Sequence, residues 1–321
     1  MHASRIRSTL RRLACAAFIG LAVPALAADD YPSKNVRMII PFGAGGGSDI
    51  LARTIGSVID ELDLIPVDIM YENIPGSSGG RGYKEASRRK KDPYTLATIS
   101  VSFFTMPLIG SAPFRQEDFT PVATIAMSPY VLTVKSDSPL HTVKDMAGAR
   151  RLTTGTVGVV SDARLLADMT SKALGVRIDA VPFEGEGEIT TGVLGGHLDF
   201  MISNPSEVLP QIQAGTMRAL AVSTAERLSS LPDIPTFKEL GYDIEHTMLR
   251  SVVMPAGVDP EVIAYWEEVL RKVAHSPQWK ERYLERFREE PRYENASNAA
   301  ALLEQTNARY IALMKELEIV D

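Results

Sequence analysis

The chain is short of the residues that carry most covalent and metal chemistry. Its one cysteine, Cys15, stands in an apolar segment near the N-terminus. Once that segment is removed no disulfide can form and no thiolate nucleophile exists, so stability has to come from packing. Beyond it, histidine occurs only as His141, His197, His246 and His275, scattered, with neither the His-Glu-x-x-His nor the cysteine spacing that binds zinc. No Gly-x-Ser-x-Gly elbow is read as an α/β-hydrolase nucleophile, and no Gly-Lys-Ser or Gly-Lys-Thr closes a P-loop. The expectation is therefore no catalytic set, no metal and no cofactor. Positive charge is not in excess either. The formal net charge of −6 becomes −10 when Arg5, Arg7, Arg11 and Arg12 leave with the leader, a field that argues against nucleic acid as a partner.

Those four arginines precede an apolar segment at 13–23, and Ala25-Leu26-Ala27 supplies the small residues a signal peptidase accepts. Residues 1–27 read as a secretory signal peptide cleaved after Ala27 or Ala28, so the mature protein is expected to be secreted. The apolar segment is too short to span a membrane, and no later one is long enough. Roughly 290 residues then remain, a length that favours two lobes over one oversized core.

The stretch that organises the rest is Pro41-Phe42-Gly43-Ala44-Gly45-Gly46-Gly47-Ser48-Asp49. It follows a strand-like run at 36–40 and precedes helically spaced apolar residues at 50–55. Glycines leave backbone N–H groups open to a ligand, Ser48 or Asp49 can cap the helix behind them, and such a corner favours an anion. It is a poor dinucleotide fingerprint, because Ser48 stands where a third glycine is needed. A second corner repeats the arrangement. Arg151-Leu152-Thr153-Thr154 leads into Gly155-Thr156-Val157-Gly158-Val159-Val160-Ser161-Asp162, ahead of a helical pattern at 163–174.

Further strands are expected at 66–71, 94–99, 122–126, 130–134, 177–182, 198–202, 217–222 and 249–254. Helices are expected at 237–240, 261–274, 277–288 and 296–316. Short strands alternating with helices make an α/β protein with a mostly parallel sheet, whose C-terminal strand edges gather ligands. Ser102, Phe103 and Phe104 are candidates to wall that edge, and Ser203 and Asn204 to donate to a ligand oxygen. Glu184, Glu186 and Glu188 alternate with glycine and read as solvated acids or helix caps. Asp162 and Glu186 are carried as candidates without an assigned role.

These loops resemble a known family, the periplasmic substrate-binding components of tripartite tricarboxylate transporters, often called Bug or TctC-like receptors. The resemblance rests on Tyr31-Pro32-Ser33-Lys34, the glycine loop, Glu72-Asn73-Ile74-Pro75-Gly76 with Gly79-Gly80, Asp92-Pro93-Tyr94-Thr95-Leu96, Leu194-Gly195-Gly196-His197-Leu198-Asp199, Ala219-Leu220-Ala221-Val222 and Leu231-Pro232-Asp233-Ile234-Pro235-Thr236. It spans almost the whole mature chain.

The resemblance implies a two-lobed periplasmic-binding-protein fold of type II, with the ligand cleft between lobes. It divides the chain into 28–129 and 248–321 for lobe one and 130–247 for lobe two. It also implies a monomer that captures a small organic carboxylate and hands it to membrane permease subunits. Carried over by position, the ligand contacts are Phe42, Ala44, Gly45, Gly46, Gly47, Ser48 and Asp49 in lobe one, and Thr154, Thr156, Val157, Gly158, Ser161, Ser203 and Asn204 in lobe two. Glu186 departs from the family, whose corresponding loop is richer in glycine; facing the cleft, it would repel a polycarboxylate or have to bind a protonated or cationic group. The rival readings are a sensing receptor, a secreted α/β enzyme, and a protein-binding module built on the charged C-terminal helices.

Overall fold

Parallel strands need helical crossovers, and the chain supplies them in two separate runs. The computed structural model describes residues 31–157, 161–183 and 185–320; the expected leader, Gly158 and Glu184 lie outside the described residues. The first run comprises β1 (Val36–Ile40), α1 (Gly47–Glu61), β2 (Ile69–Asn73), α2 (Gly80–Ser87), β3 (Thr95–Thr98), α3 (Val101–Leu108) and β4 (Phe119–Ser128). The second comprises β5 (Val131–Lys135), α4 (Val143–Met146), β6 (Arg151–Val157), α5 (Asp162–Leu174), β7 (Arg177–Phe183), α6 (Glu186–Leu194), β8 (Phe200–Ser203), α7 (Pro205–Gln213) and β9 (Met217–Val222). The chain then continues through β10 (Met248–Pro255), α8 (Pro260–Ala274), α9 (Pro277–Trp279), β11 (Glu290–Glu294) and α10 (Ala296–Glu316).

Two sheets result, ordered β11-β4-β10-β3-β1-β2 and β7-β6-β8-β5-β9. Each contains a parallel triplet, β2-β1-β3 in the first and β7-β6-β8 in the second, extended by antiparallel strands. The chain passes between sheets twice, directly from β4 to β5 and again from β9 to β10. Helices cover both faces of the second sheet. Phe200 and Ile202 belong to a core with Leu166 and Ala167 of α5, whereas Met201 belongs to one with Ile189 and Val193 of α6 and Val208 of α7. In the first sheet Ile39, Ala97 and Val253 pack with Phe103 and Phe104 of α3 and with Tyr310 and Leu313 of α10. Leu165 of α5 joins that same cluster, so the two sheets are tied by apolar contact on the α10 side.

Local chemistry explains the helix ends. Asp259 caps α8 by accepting from the Glu261 N–H at 2.9 Å, with Pro260 at the first helical position. Asn295 caps α10 through the Asn298 N–H at 2.9 Å.

Several expectations need correction. Phe103 and Phe104 are each 2% exposed and stack within the core, Phe104 on Tyr310 at 5.3 Å. What surface they keep faces a groove shared with Gln116, Ala300 and Asn307, whose lining includes no residue of the glycine loop. Residues 237–240 form hydrogen-bonded turns rather than a helix, although Phe237 is buried. The helix expected over 277–288 passes through a π-helical stretch at Lys280–Glu285 and ends where Arg288 takes φ +57°. β6 runs on to Val157, so Thr154, Gly155 and Thr156 belong to a strand and not to a glycine loop.

Candidate functional site

The glycine loop is held in shape by one carboxylate. Asp49, 4% exposed, accepts from the Gly45 N–H at 2.9 Å, from Arg53 Nε at 2.9 Å and from Asn73 Nδ2 at 2.9 Å. Asn73 also donates to the Phe42 carbonyl at 3.1 Å. Burial works to raise the Asp49 pKa, but the bonds from Arg53, Gly45 and Asn73 outweigh it and hold the carboxyl below its usual value. Gly45 is needed here for its backbone, which takes φ +80°. The cap differs from expectation. Gly46 is the N-cap of α1 and offers no side chain, because Asp49 is turned back to the loop. The N–H groups of Ala44, Gly47 and Ser48 take no part in the bonds that close the loop, which leaves the positive end of α1 open.

Against that end lies a buried guanidinium. Arg250 of β10 is 3% exposed, and a Cβ placed on Gly47 would stand 3.2 Å from both its Nη atoms. Its Nη2 donates to Glu289 Oε1 at 3.1 Å, and Ser128 Oγ donates to the other oxygen of Glu289. Arg250 Nε has no acceptor among the described residues.

The second sheet is linked to this place through Glu207, which the charge of Arg250 reaches. Ser203, the last residue of β8, is 1% exposed and its hydroxyl has no partner among the described residues. Strand alternation puts it on the side of Met201, where α6 and α7 pack. Glu186 opens α6, and its covered Oε2 also lacks a partner. Glu207, in the first turn of α7, accepts the Asn204 N–H at 3.2 Å. Burial lifts the Glu207 carboxyl to about 7, with the Asn204 N–H and Arg250 opposing the rise and Glu289 adding to it. Burial and then the charge of Glu207 push Glu186 well above the usual carboxylate value. Arg250 and Glu289 thus lie close enough to Glu207, and Glu207 to Glu186, for their charges to act on one another.

Other sequence candidates are placed elsewhere. Ser102 shares a hydrogen bond with Ser100 at 3.1 Å in the first turn of α3. Asn204 Nδ2 donates to the Pro129 carbonyl at 2.8 Å, between β4 and β5. Ser161 caps α5 by accepting from Arg164 N–H at 3.4 Å. Thr154 and Thr156 are buried along β6, on the side opposite Gly155, and Val157 ends the strand exposed. Asp162 belongs to a separate buried cluster. Its carboxylate takes the hydroxyls of Tyr310 at 2.6 Å and Tyr130 at 2.8 Å and pairs with His246 Nε2 at 2.5 Å. Here burial is outweighed by the charge and hydrogen bond of His246 and by both tyrosines, so the Asp162 pKa is lowered.

Residues missed as candidates are Arg250, Glu207 and Glu289. A lone arginine inside the apolar run 249–254 was a readable signal for the first, since a buried charge needs a reason. One absence was misread. Gly76-Ser77-Ser78-Gly79-Gly80 has the nucleophile-elbow spacing, and Ser78 takes φ +51° ahead of α2. No histidine hydrogen-bonds to Ser78 among the described residues, and His246 is committed to Asp162, so the turn lacks the base that would activate it.

Comparison with known proteins gives one answer. The family described as tripartite tricarboxylate transporter family receptor matches residues 62–319. Protein BugT of Bordetella pertussis is 30% identical over 257 residues, covering 76% of this chain and 77% of that protein. A TctC solute binding protein from Polaromonas, solved with no ligand, is 27% identical with a TM-score of 0.74 and covers 89% of this chain and 99% of that one. R. palustris Rpa4515, solved with adipate, is 25% identical with a TM-score of 0.82 and covers 90% and 99%.

Proposed function

The chain belongs to the tripartite tricarboxylate transporter receptor family, a family of solute receptors rather than enzymes, and from that premise we propose that it is a periplasmic receptor that encloses a small organic carboxylate and presents it to a membrane permease. What supports this reading is the open N-terminus of α1 with Arg250 beside it, and the reach of the Arg250 charge to Glu207 in the helix that follows Ser203 and Asn204. Backbone N–H groups at a helix start bind a carboxylate without covalent chemistry. The adipate carried by Rpa4515 has the chemistry such a corner would take.

Residues 28–129 and 248–321 then act as one lobe and 130–247 as the other. The two passages between sheets serve as the hinge, and secretion through the leader brings the receptor to its ligand. Closure removes water from the carboxylate and strengthens its hydrogen bonds, so the ligand stabilises the closed state in proportion to its preference for it.

Native mass spectrometry of gently purified protein tests this. The expected result is a one-to-one complex that releases a small carboxylic acid on denaturation and rebinds it, with binding weakened by Ser48→Ala or Ser203→Ala. Protein that carries nothing and binds no member of a carboxylate panel would overturn capture. Undiminished carboxylate uptake in a deletion strain would overturn delivery to a permease.

A further inference from the structure

The two ends of the cleft differ in sign. At the first sheet the unbonded N–H groups of Gly47 and Ser48 and the Arg250 guanidinium favour an anion. At the second sheet stand Glu186, Glu207 and the unpartnered hydroxyl of Ser203. Two carboxylates beside one another at two helix starts are an odd choice for a receptor of dianions. Each added negative charge has to be desolvated against a like charge.

The carboxylates do not serve each other as partners. Glu186 Oε2 is covered and unbonded, and Glu207 uses one oxygen to cap α7. Nor do they make a metal cage, since no three acidic or histidine side chains converge on one point among the described residues. What this end lacks is a hydrogen-bond donor with positive charge. The charge of Arg250 reaches Glu207, but its Nη2 donates to Glu289 and it makes no hydrogen bond to Glu186 or Glu207.

Building on the receptor reading above, we infer that the ligand carries an ammonium group as well as a carboxylate, with the carboxylate at the α1 loop and the ammonium between Glu186, Glu207 and Ser203. The substrate class is an amino acid rather than a dicarboxylate. An ammonium has three donors, which matches two carboxylates and a hydroxyl. Charge-assisted bonds of this kind are the strong ones once water is excluded. The raised pKa values of the two glutamates fit the same picture, because an arriving cation would let both ionise.

Calorimetric titration of the purified protein with matched pairs tests the assignment. The pairs are succinate with 4-aminobutanoate, adipate with 6-aminohexanoate, malate with aspartate, and 2-hydroxyglutarate with glutamate. The expected result is at least one pair whose amino member binds about tenfold tighter or more. Glu186→Gln, which keeps size and shape, should shrink that ratio to about threefold or less while the melting temperature stays put. If the acid or hydroxy member binds as tightly or tighter in every pair that binds, the amino-acid class is wrong and the receptor reading stands. Should no pair bind, the molecule released in native mass spectrometry decides: an amine-bearing acid supports the inference and a diacid overturns it. A protein that releases nothing overturns both readings.

Discussion

Two buried polar clusters sit about the junction of the sheets, and they are built to opposite rules. In the crossover cluster one carboxylate, Asp162, is met by Tyr130, Tyr310 and His246, and neighbouring Ser223 takes the Tyr130 N–H at 3.0 Å and donates to the His246 carbonyl at 2.6 Å. Donors and acceptors match. In the cleft cluster Arg250 Nε, Ser203 Oγ and Glu186 Oε2 go without partners among the described residues, and two carboxylates are raised in pKa, Glu186 by burial and then the charge of Glu207, Glu207 by burial with Glu289 adding to it. Buried polar groups are ordinarily satisfied, and three of the eleven exceptions among the described residues belong to this cluster. The satisfied cluster ties α5 to α10 and to both passages between sheets; the unsatisfied one is the place the receptor reading proposed above gives to the ligand.

The largest test of this contrast concerns the ion pair of Arg250 with Glu289. Glu289→Ala leaves the Arg250 guanidinium buried without its carboxylate, and urea denaturation should show a loss of about 3–5 kcal/mol. A loss below about 1 kcal/mol would mean that Arg250 reaches water. Next, Asp162→Asn removes the charge that three donors share and should lower stability by about 2–4 kcal/mol in the same measurement. Its pH dependence has a definite sign. Because the folded pKa of Asp162 is lowered, its contribution is complete above the ordinary carboxylate pKa and is lost as pH falls through the lowered value. The variant should therefore show a flatter loss in acid.

Glu207 runs the other way. Its carboxyl is raised from 4.5 to about 7, so its contribution is complete below 4.5 and is lost as pH rises through about 7. Stability measured from pH 4.5 to 8 should fall less in Glu207→Gln than in the parent, by about 1 kcal/mol. Arg250, Glu289 and Glu186 face the same group and stay in place in that variant. The smallest effect is a matched pair of serines. Ser223→Ala should cost about 1–3 kcal/mol because it unpairs two buried groups, whereas Ser203→Ala should change the ligand-free protein by less than about 0.5 kcal/mol and weaken ligand binding instead. Equal destabilisation by both changes would erase the distinction between the clusters.

The amino-acid order alone determined much of the scaffold. The strand at Val36–Ile40, the helix at Ala296–Glu316 and the strand at Met217–Val222 fall where periodicity put them, because an apolar repeat of two or of 3.6 residues is a local property. The glycine loop was legible for the same reason. β11 was not: its Glu-Pro-Arg-Tyr-Glu lacks alternation and lies on an edge, bonded to β4 alone, where little burial is demanded.

Only the tertiary structure decided what the motifs are for. Asn73 braces the loop through Asp49, and Asp199 takes both the N–H and the hydroxyl of Thr153, at 2.6 and 2.9 Å; these family-like residues hold backbone in place. The cleft's charges come from α6, α7, β10 and the segment before β11, and Arg250 meets Glu289 across 39 positions of chain while Asp162 meets Tyr310 across 148. Composition can say that such groups exist. Which of them are left buried and short of a partner depends on how two sheets meet, and no local pattern encodes that distance.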